Sequence, residues 1–201
     1  MPFRPRGFRA SIRPVLLWAA LLAACAAPVP DLPPVPIAPH LAVALPSPAE
    51  APPARQVVQL VTARYGARTI VFQAYLRPWD GAVRLTCLDS LGRVAMTVLW
   101  TAAGLAVHRE PWVPAELKPE NILADIVLIY WPEAVVRSML AGGGAVLRTG
   151  PDSRTVSQQG QDVIRMTYHR PPAGSPWDGR VDYRNEAFGY TLDIQSRLEA
   201  P

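Results

Sequence analysis

Apolar and polar side chains alternate with a period of two along most of the chain beyond residue 67, and one central stretch breaks the pattern with helical spacing. Arg68 to Leu76 is rich in β-branched and aromatic residues, and Pro78-Trp79-Asp80-Gly81 predicts a turn. Val83, Leu85 and Cys87 then alternate with Arg84 and Thr86. Asp89-Ser90-Leu91-Gly92 turns the chain into Arg93 to Trp100, where Val94, Met96, Val98 and Trp100 share a face. Ala103-Gly104 leads to a further strand, Leu105 to Arg109. Short strands joined by tight turns predict an antiparallel meander.

From Pro114 to Leu140 the spacing becomes helical. Pro119 suits a first helical position, Glu120 complements the amino-terminal dipole, and Ile122, Leu123, Ile126, Val127, Ile129 and Tyr130 form a broad apolar stripe. Pro132 ends this helix or starts a second, apolar at Val135, Val136, Met139 and Leu140 and stopped by Gly142-Gly143-Gly144. An apolar helix pair needs something to cover, and the open face of the sheet is the available partner. Strand signals resume at Ala145 to Thr149, Arg154 to Gln159, Asp162 to His169, Gly179 to Asn185 and Gly189 to Ser196, with a loop at Pro171 to Asp178. The expectation is a mainly β, α+β domain: a curved antiparallel sheet, as in a half-open barrel, capped by a central helical insertion.

Ahead of the pattern the chain has a different character. Arg4, Arg6, Arg9 and Arg13 precede the apolar run Val15 to Leu22, the basic start and short core of a secretory signal, too short to span a bilayer. The run ends in Leu22-Ala23-Ala24-Cys25, which resembles the bacterial lipobox. The resemblance implies a signal peptide over residues 1–24, an acylated Cys25 at the mature N-terminus, and, with Ala26 rather than Asp in the next position, an outer-membrane anchor facing the periplasm. Acyl chains at about 0.8 kcal/mol per buried CH₂ would hold the protein to membrane lipid. The alternative is ordinary cleavage near Ala24 with Cys25 a free thiol. Residues 26–54, rich in proline and without period, read as a linker able to extend roughly 90 Å at about 3.1 Å per residue. His40 falls inside it. The folded domain is then residues 55–201, enough for one sizeable core.

The formal charge of +4 changes meaning under this division, because its four excess arginines all precede Cys25 and the remaining basic residues balance the 16 acidic ones. A neutral mature chain without a basic, aromatic-interleaved stripe gives no support for nucleic-acid binding. Cys87, flanked by alternating apolar residues, reads as a small buried hydrophobe. No Gly-x-Ser-x-Gly, His-Glu-x-x-His, phosphate-binding loop or Cys/His cluster occurs, so neither enzyme chemistry, a metal nor a cofactor is expected. His108 and His169 lie on separate strands, Asp152-Ser153-Arg154 reads as a turn, and Gly142-Gly143-Gly144 reads as a helix stop.

The meander, the central segment Ala124-Asp125-Ile126-Val127-Leu128-Ile129-Tyr130-Trp131-Pro132 and the ending Asn185-Glu186-Ala187-Phe188-Gly189-Tyr190-Thr191-Leu192-Asp193-Ile194 together resemble an outer-membrane lipoprotein family encoded with aryl-polyene pigment genes in Gram-negative bacteria. That family is similar to the LolA/LolB lipoprotein-localisation factors. The resemblance implies a half-open barrel around an apolar cavity and a membrane-inserting leucine at a hairpin tip, for which Leu91 is the candidate. Trp79, at another hairpin tip, competes for that role because indole suits the membrane interface. The concave face of an open sheet is filled by side chains or by a ligand. Phe72, Val98, Trp100, Ile126 and Tyr130 either line such a cavity or pack together as core. The implied function is an anchored envelope protein that binds or transfers an acyl- or polyene-tailed lipid or a lipoprotein; the alternative is a structural or assembly lipoprotein that binds an envelope protein partner.

Overall fold

The computed structural model describes residues 32–170 and 175–199. Cys25 and the whole signal-like segment lie outside the described residues. A ten-stranded antiparallel sheet, curved but not closed into a barrel, forms the frame. Its first half is the expected meander: β3 (Val57–Tyr65), β4 (Arg68–Trp79), β5 (Ala82–Leu88), β6 (Val94–Thr101) and β7 (Gly104–Arg109). Its second half is β8 (Ala145–Gly150), β9 (Ser153–Gln158), β10 (Gln161–His169), β11 (Gly179–Asn185) and β12 (Tyr190–Leu198). Pairing of β12 with β3 from Tyr190 opposite Tyr65 to Leu198 opposite Val57 joins the halves, giving the order β7-β6-β5-β4-β3-β12-β11-β10-β9-β8.

Strand β3 has no counterpart among the sequence expectations, although it occupies the middle of the sheet. Its inward residues Val57, Gln59 and Val61 are buried, but Gln59 interrupts the apolar series, and the outward Leu60 supplies an apolar residue on the wrong face. The two helices fall where the spacing placed them. Helix α1 (Pro119–Tyr130) starts on Pro119, and α2 (Glu133–Ala141) follows after Trp131-Pro132. Both lie on the concave face, and the α1 residues Leu123, Ala124, Val127, Leu128 and Ile129 are almost completely buried. The edge strand β8 is covered by α2, whose Arg137 Nη1 donates to the Leu147 carbonyl at 2.6 Å.

The expected linker is corrected over its second half. Proline-rich Leu32 to Ala54 is not an extended spacer: it carries a hairpin, β1 (Val35–Ala38) and β2 (Leu41–Val43), and a single 3-10 turn at Pro48–Glu50 capped by Ser47. Val35, Ile37, Leu41 and Val43 are buried in the main core. Alternation survives in this segment, Val35/Ile37 and Leu41/Val43, because prolines at Pro34 and Pro36 sit where the two-stranded sheet does not need their missing N–H groups. His40, exposed at the hairpin turn with φ 66°, still has a structural contact, since its carbonyl accepts from Gln158 Nε2 at 2.9 Å. Gly143 lets the hairpin approach: a Cβ there would stand 2.5 Å from Leu41 Cδ1 and 3.0 Å from the Ala42 carbonyl oxygen.

The registers also fix which loops share an end of the sheet. Gln73 opposite Leu88 and Tyr65 opposite Tyr190 place the β3–β4, β5–β6 and β11–β12 turns at one rim. Trp79 opposite Ala82 places the β4–β5 turn at the other. Helix α1 runs between the two ends, with Asn121 in its first turn near the first rim, where its Nδ2 donates to the Pro36 carbonyl of the hairpin.

Candidate functional site: the helix-lidded concave face

Along α1, one polar side chain interrupts the inward stripe, and the protein builds a network around it. Asp125 accepts from Tyr183 Oη at 2.5 Å and from Tyr190 Oη at 2.8 and 2.9 Å. The two phenols stack with centroids 5.8 Å apart. Asn185 Nδ2, at the end of β11, donates to the Ile37 carbonyl at 2.9 Å, so the same corner holds helix, sheet and hairpin together. Half-buried Asp125 keeps some solvent access at the rim. Burial nevertheless pushes its carboxyl up to about 7, against the opposing effect of the phenol hydrogen bonds. The Tyr183 and Tyr190 phenols are pushed upward by their own burial and then by the neighbouring carboxylate.

Near the other end of α1 a second network is entirely neutral. Buried Gln59 Nε2 donates to Tyr130 Oη at 2.9 Å and to Ser196 Oγ at 3.0 Å, and the two hydroxyls lie 2.8 Å apart. The helix ends against β9 and β10, where Arg154 Nη1 donates to the Leu128, Ile129 and Trp131 carbonyls at 3.1, 3.4 and 2.9 Å. Tyr168 Oη adds a bond to the Ile129 carbonyl at 2.9 Å. A cation on the last carbonyls complements the negative end of the helix and satisfies acceptors that would otherwise lack partners.

Between these ties lies an aromatic interior. Tyr130 stacks on Trp177 at 4.5 Å, Trp131 stacks on Trp100 at 5.9 Å, and Trp131 meets Trp177 edge-on at 6.3 Å. Trp131 and Trp177 are fully buried, and neither Nε1 has a hydrogen-bond partner among the described residues. Two unused donors in an apolar interior are costly, at about 1–3 kcal/mol each.

The structure brings four of the five cavity candidates into the buried core: Val98, Trp100, Ile126 and Tyr130, with Phe72 half-buried against them. In the conformation described they are packed side chains. The two membrane-touching candidates are separated. Leu91, 77% exposed at the β5–β6 turn, is held out by Asp89, which accepts from the Leu91 and Arg93 amides at 2.9 Å and pairs with Arg93 at 2.7 Å. Trp79, 36% exposed, lies at the opposite end of the sheet with Arg84 over its ring, 5.6 Å from the centroid. Cys87 is buried and unpaired, and burial pushes its thiol up to about 12.

Sequence reasoning did not single out Asp125, Tyr183 and Tyr190, although a signal was present. Asp125 lies three residues from Ile122 and four from Ile129, on the apolar stripe of a helix, and a carboxylate there requires partners. The two segments that carried the family resemblance meet here, Asp125 from one and Asn185 and Tyr190 from the other.

Fold and site together define a half-open antiparallel β-sheet protein whose concave face is closed by a pinned helical lid. Residues 56–197 match the family described as Protein of unknown function (DUF3261), and the chain belongs to that family. A search of curated proteins finds no match. No helix among the described residues is long and apolar enough to cross a membrane, and no metal-holding cluster occurs among them.

Proposed function

We propose that this chain is a membrane-anchored lipoprotein of the cell envelope, tethered through acylated Cys25, that takes up an acyl- or polyene-tailed lipid, or a lipoprotein's acyl chains, on the concave face of its sheet. The supporting observation is the lid. Helix α1 covers an apolar concavity and is fixed to it at discrete polar ties, Asp125 at one end and Arg154 at the other, with two unpaired indole donors beneath. An arrangement of this kind exposes a continuous apolar floor when the ties open, and Trp131 and Trp177 offer donors to an ester or acid carbonyl. The likeness to LolA/LolB factors and to a lipoprotein family associated with aryl-polyene synthesis belongs to the same proposal, as does a place at the outer membrane facing the periplasm. No catalytic step is needed.

Fatty acids carrying a nitroxide on the chain quench tryptophan at short range, which gives a test built into the protein. Uptake on the concave face predicts saturable quenching of the buried indoles Trp100, Trp131 and Trp177. Quenching confined to the exposed Trp79 and Trp112 would refute it.

A second reading is favoured by the filled interior: the described conformation has a packed core where a cargo would sit. In this reading the protein is a structural or assembly lipoprotein that binds another envelope protein, and the quenching experiment returns no saturable signal.

A further inference from the structure

The convex face carries a band of arginines and threonines that the strand registers place in one line. On the second half of the sheet, Arg148 of β8 stands opposite Thr155 of β9, and Thr155 opposite Arg165 of β10. Arg165 stands opposite Arg184 of β11. Across the junction, Arg184 faces Thr191 of β12, Thr191 faces Arg64 of β3, and Arg64 faces Thr69 of β4. Leu147, Val156, Ile164 and Tyr183, next to Arg148, Thr155, Arg165 and Arg184, are buried, as are Val61, Ile194 and Ala74 in the inward register of β3, β12 and β4, so the whole line points outward. Six inter-strand steps of about 4.8 Å make the band about 29 Å long.

The charges along it are not balanced. Asp162 pairs with Arg148 at 2.5 Å and with Arg165 at 3.3 Å, and Glu186 reaches Arg184 only at 3.8 Å. Arg64 has no ion pair among the described residues. The next acidic groups, Asp182 and Asp193, are engaged by Arg180 at 2.9 and 2.8 Å, and His169 contacts Asp182 at 2.8 Å. Five guanidinium groups thus face four carboxylates, with Arg64 outside the pairs. Like charges directly opposite on neighbouring strands, as at Arg165 and Arg184, are destabilising unless an anion lies between them. A depression of about 470 Å³ opens there, walled by Arg64, Arg165, Arg180 and Arg184 against Asp182, Glu186 and Asp193, one positive charge in excess.

Position selects the source of the anion. Arg64 directly precedes Tyr65, 64% exposed at the β3–β4 tip, and Leu91 projects from the same rim. Apolar tips beside a row of guanidinium groups match a bilayer surface, with phosphates outside and acyl chains beneath. The first strand of the described fold is also tied to this rim. Asn121 and Asn185 hold Pro36 and Ile37 there, and Cys25 precedes Leu32 by seven residues, a reach of at most about 25 Å.

We propose that the arginine–threonine band is a docking surface for phosphate headgroups of an anionic bilayer, which lays the anchored domain against the membrane with the β3–β4 and β5–β6 tips inserted. The proposal rests on the membrane anchor of the preceding section. The full acylated chain is reconstituted in phosphatidylcholine vesicles with and without phosphatidylglycerol, and carries a fluorophore on Thr155→Cys or, at the far end of the convex face, on Arg77→Cys. Cys87 is buried and does not compete for label. A headgroup-level nitroxide lipid quenches the Thr155→Cys label in anionic vesicles, not the Arg77→Cys label, and high salt reverses the effect. Arg165→Gln with Arg184→Gln lowers the docked-to-undocked ratio about 30-fold, from about 1 kcal/mol for each arginine. Equal quenching at both positions, or quenching that survives the double substitution, overturns the proposal. Protection of the Thr155→Cys label by inorganic phosphate alone, without vesicle docking, overturns it in favour of a soluble phosphate ligand. Failure to float with neutral vesicles would indicate loss of the anchor instead, and flotation with anionic vesicles then reads the band directly.

Discussion

Replacing Asp125 by Asn tests the lid's rim tie through its pH dependence. The carboxyl is raised in the folded state, from 3.8 to about 7, because burial disfavours its charged form. The folded protein therefore holds a proton that the unfolded chain releases between these values, and stability falls as pH rises through that window. With these limits the ionisation removes about 2.5 kcal/mol of stability between pH 5 and pH 8, a Tm shift of about 5–10 °C for a domain of this size. An Asn side chain keeps an acceptor for the Tyr183 and Tyr190 phenols but cannot ionise. Asp125→Asn is expected to be close to the parent only near pH 3, below both values, and more stable than it by about 1.5 kcal/mol at pH 5 and about 4 kcal/mol at pH 8. Urea unfolding at a series of pH values, compared between the two proteins, isolates the effect, since Asp89, Glu133 and Asp162 have lowered pKa values and act in more acidic solution. A parent whose stability does not fall over this range, or a variant that falls in parallel with it, refutes the reasoning.

Four further outcomes are expected. Leu41→Ala costs about 2–4 kcal/mol in denaturant unfolding, because Leu41 is 1% exposed in the core; a solvated linker residue would cost nothing. Arg154→Leu costs about 1–3 kcal/mol by removing the donor shared by the Leu128, Ile129 and Trp131 carbonyls, of which Ile129 alone keeps a second one in Tyr168 Oη, and amide exchange quickens first in the last turn of the helix. Cys87, buried with its thiol pushed up to about 12, resists maleimide at pH 7 in the native protein and reacts fully in denaturant. Leu91→Asp leaves Tm unchanged within about 1 °C, given its 77% exposure, while insertion at the β5–β6 tip, read by a nitroxide lipid against a label there, is lost.

The meander and both helices were legible because their residues obey one period at a time: Met96, Val98 and Trp100 face inward as written, while Val94, beyond a register shift at the strand start, is 44% exposed, and Pro119 opens the helix it was expected to open. The hairpin Val35–Val43 was hidden by composition. Its prolines suggested a spacer, whereas its two short alternations needed α1, Asn121 and Asn185 to become a buried element. Strand β3 was missed because Gln59 looks polar until Tyr130 and Ser196, distant in sequence, are brought to it. The candidate site divides in the same way. Trp100, Ile126 and Tyr130 were legible as apolar positions, but the tie at Asp125 depends on Tyr183 and Tyr190 from the far end of the chain. Nor does one-dimensional charge reveal the arginine–threonine band, since its members come from seven strands and coincide only through register.

Native mass spectrometry of the full chain, purified from the envelope of a pigment-producing bacterium and followed by lipid extraction, tests the proposed lipid carriage most directly. A lipid carrier shows a non-covalent acyl- or polyene-tailed species at near one per chain, separate from any acyl group bound covalently to Cys25. A folded protein that carries only its own acyl groups, and gives no saturable tryptophan quenching with nitroxide fatty acids, contradicts it.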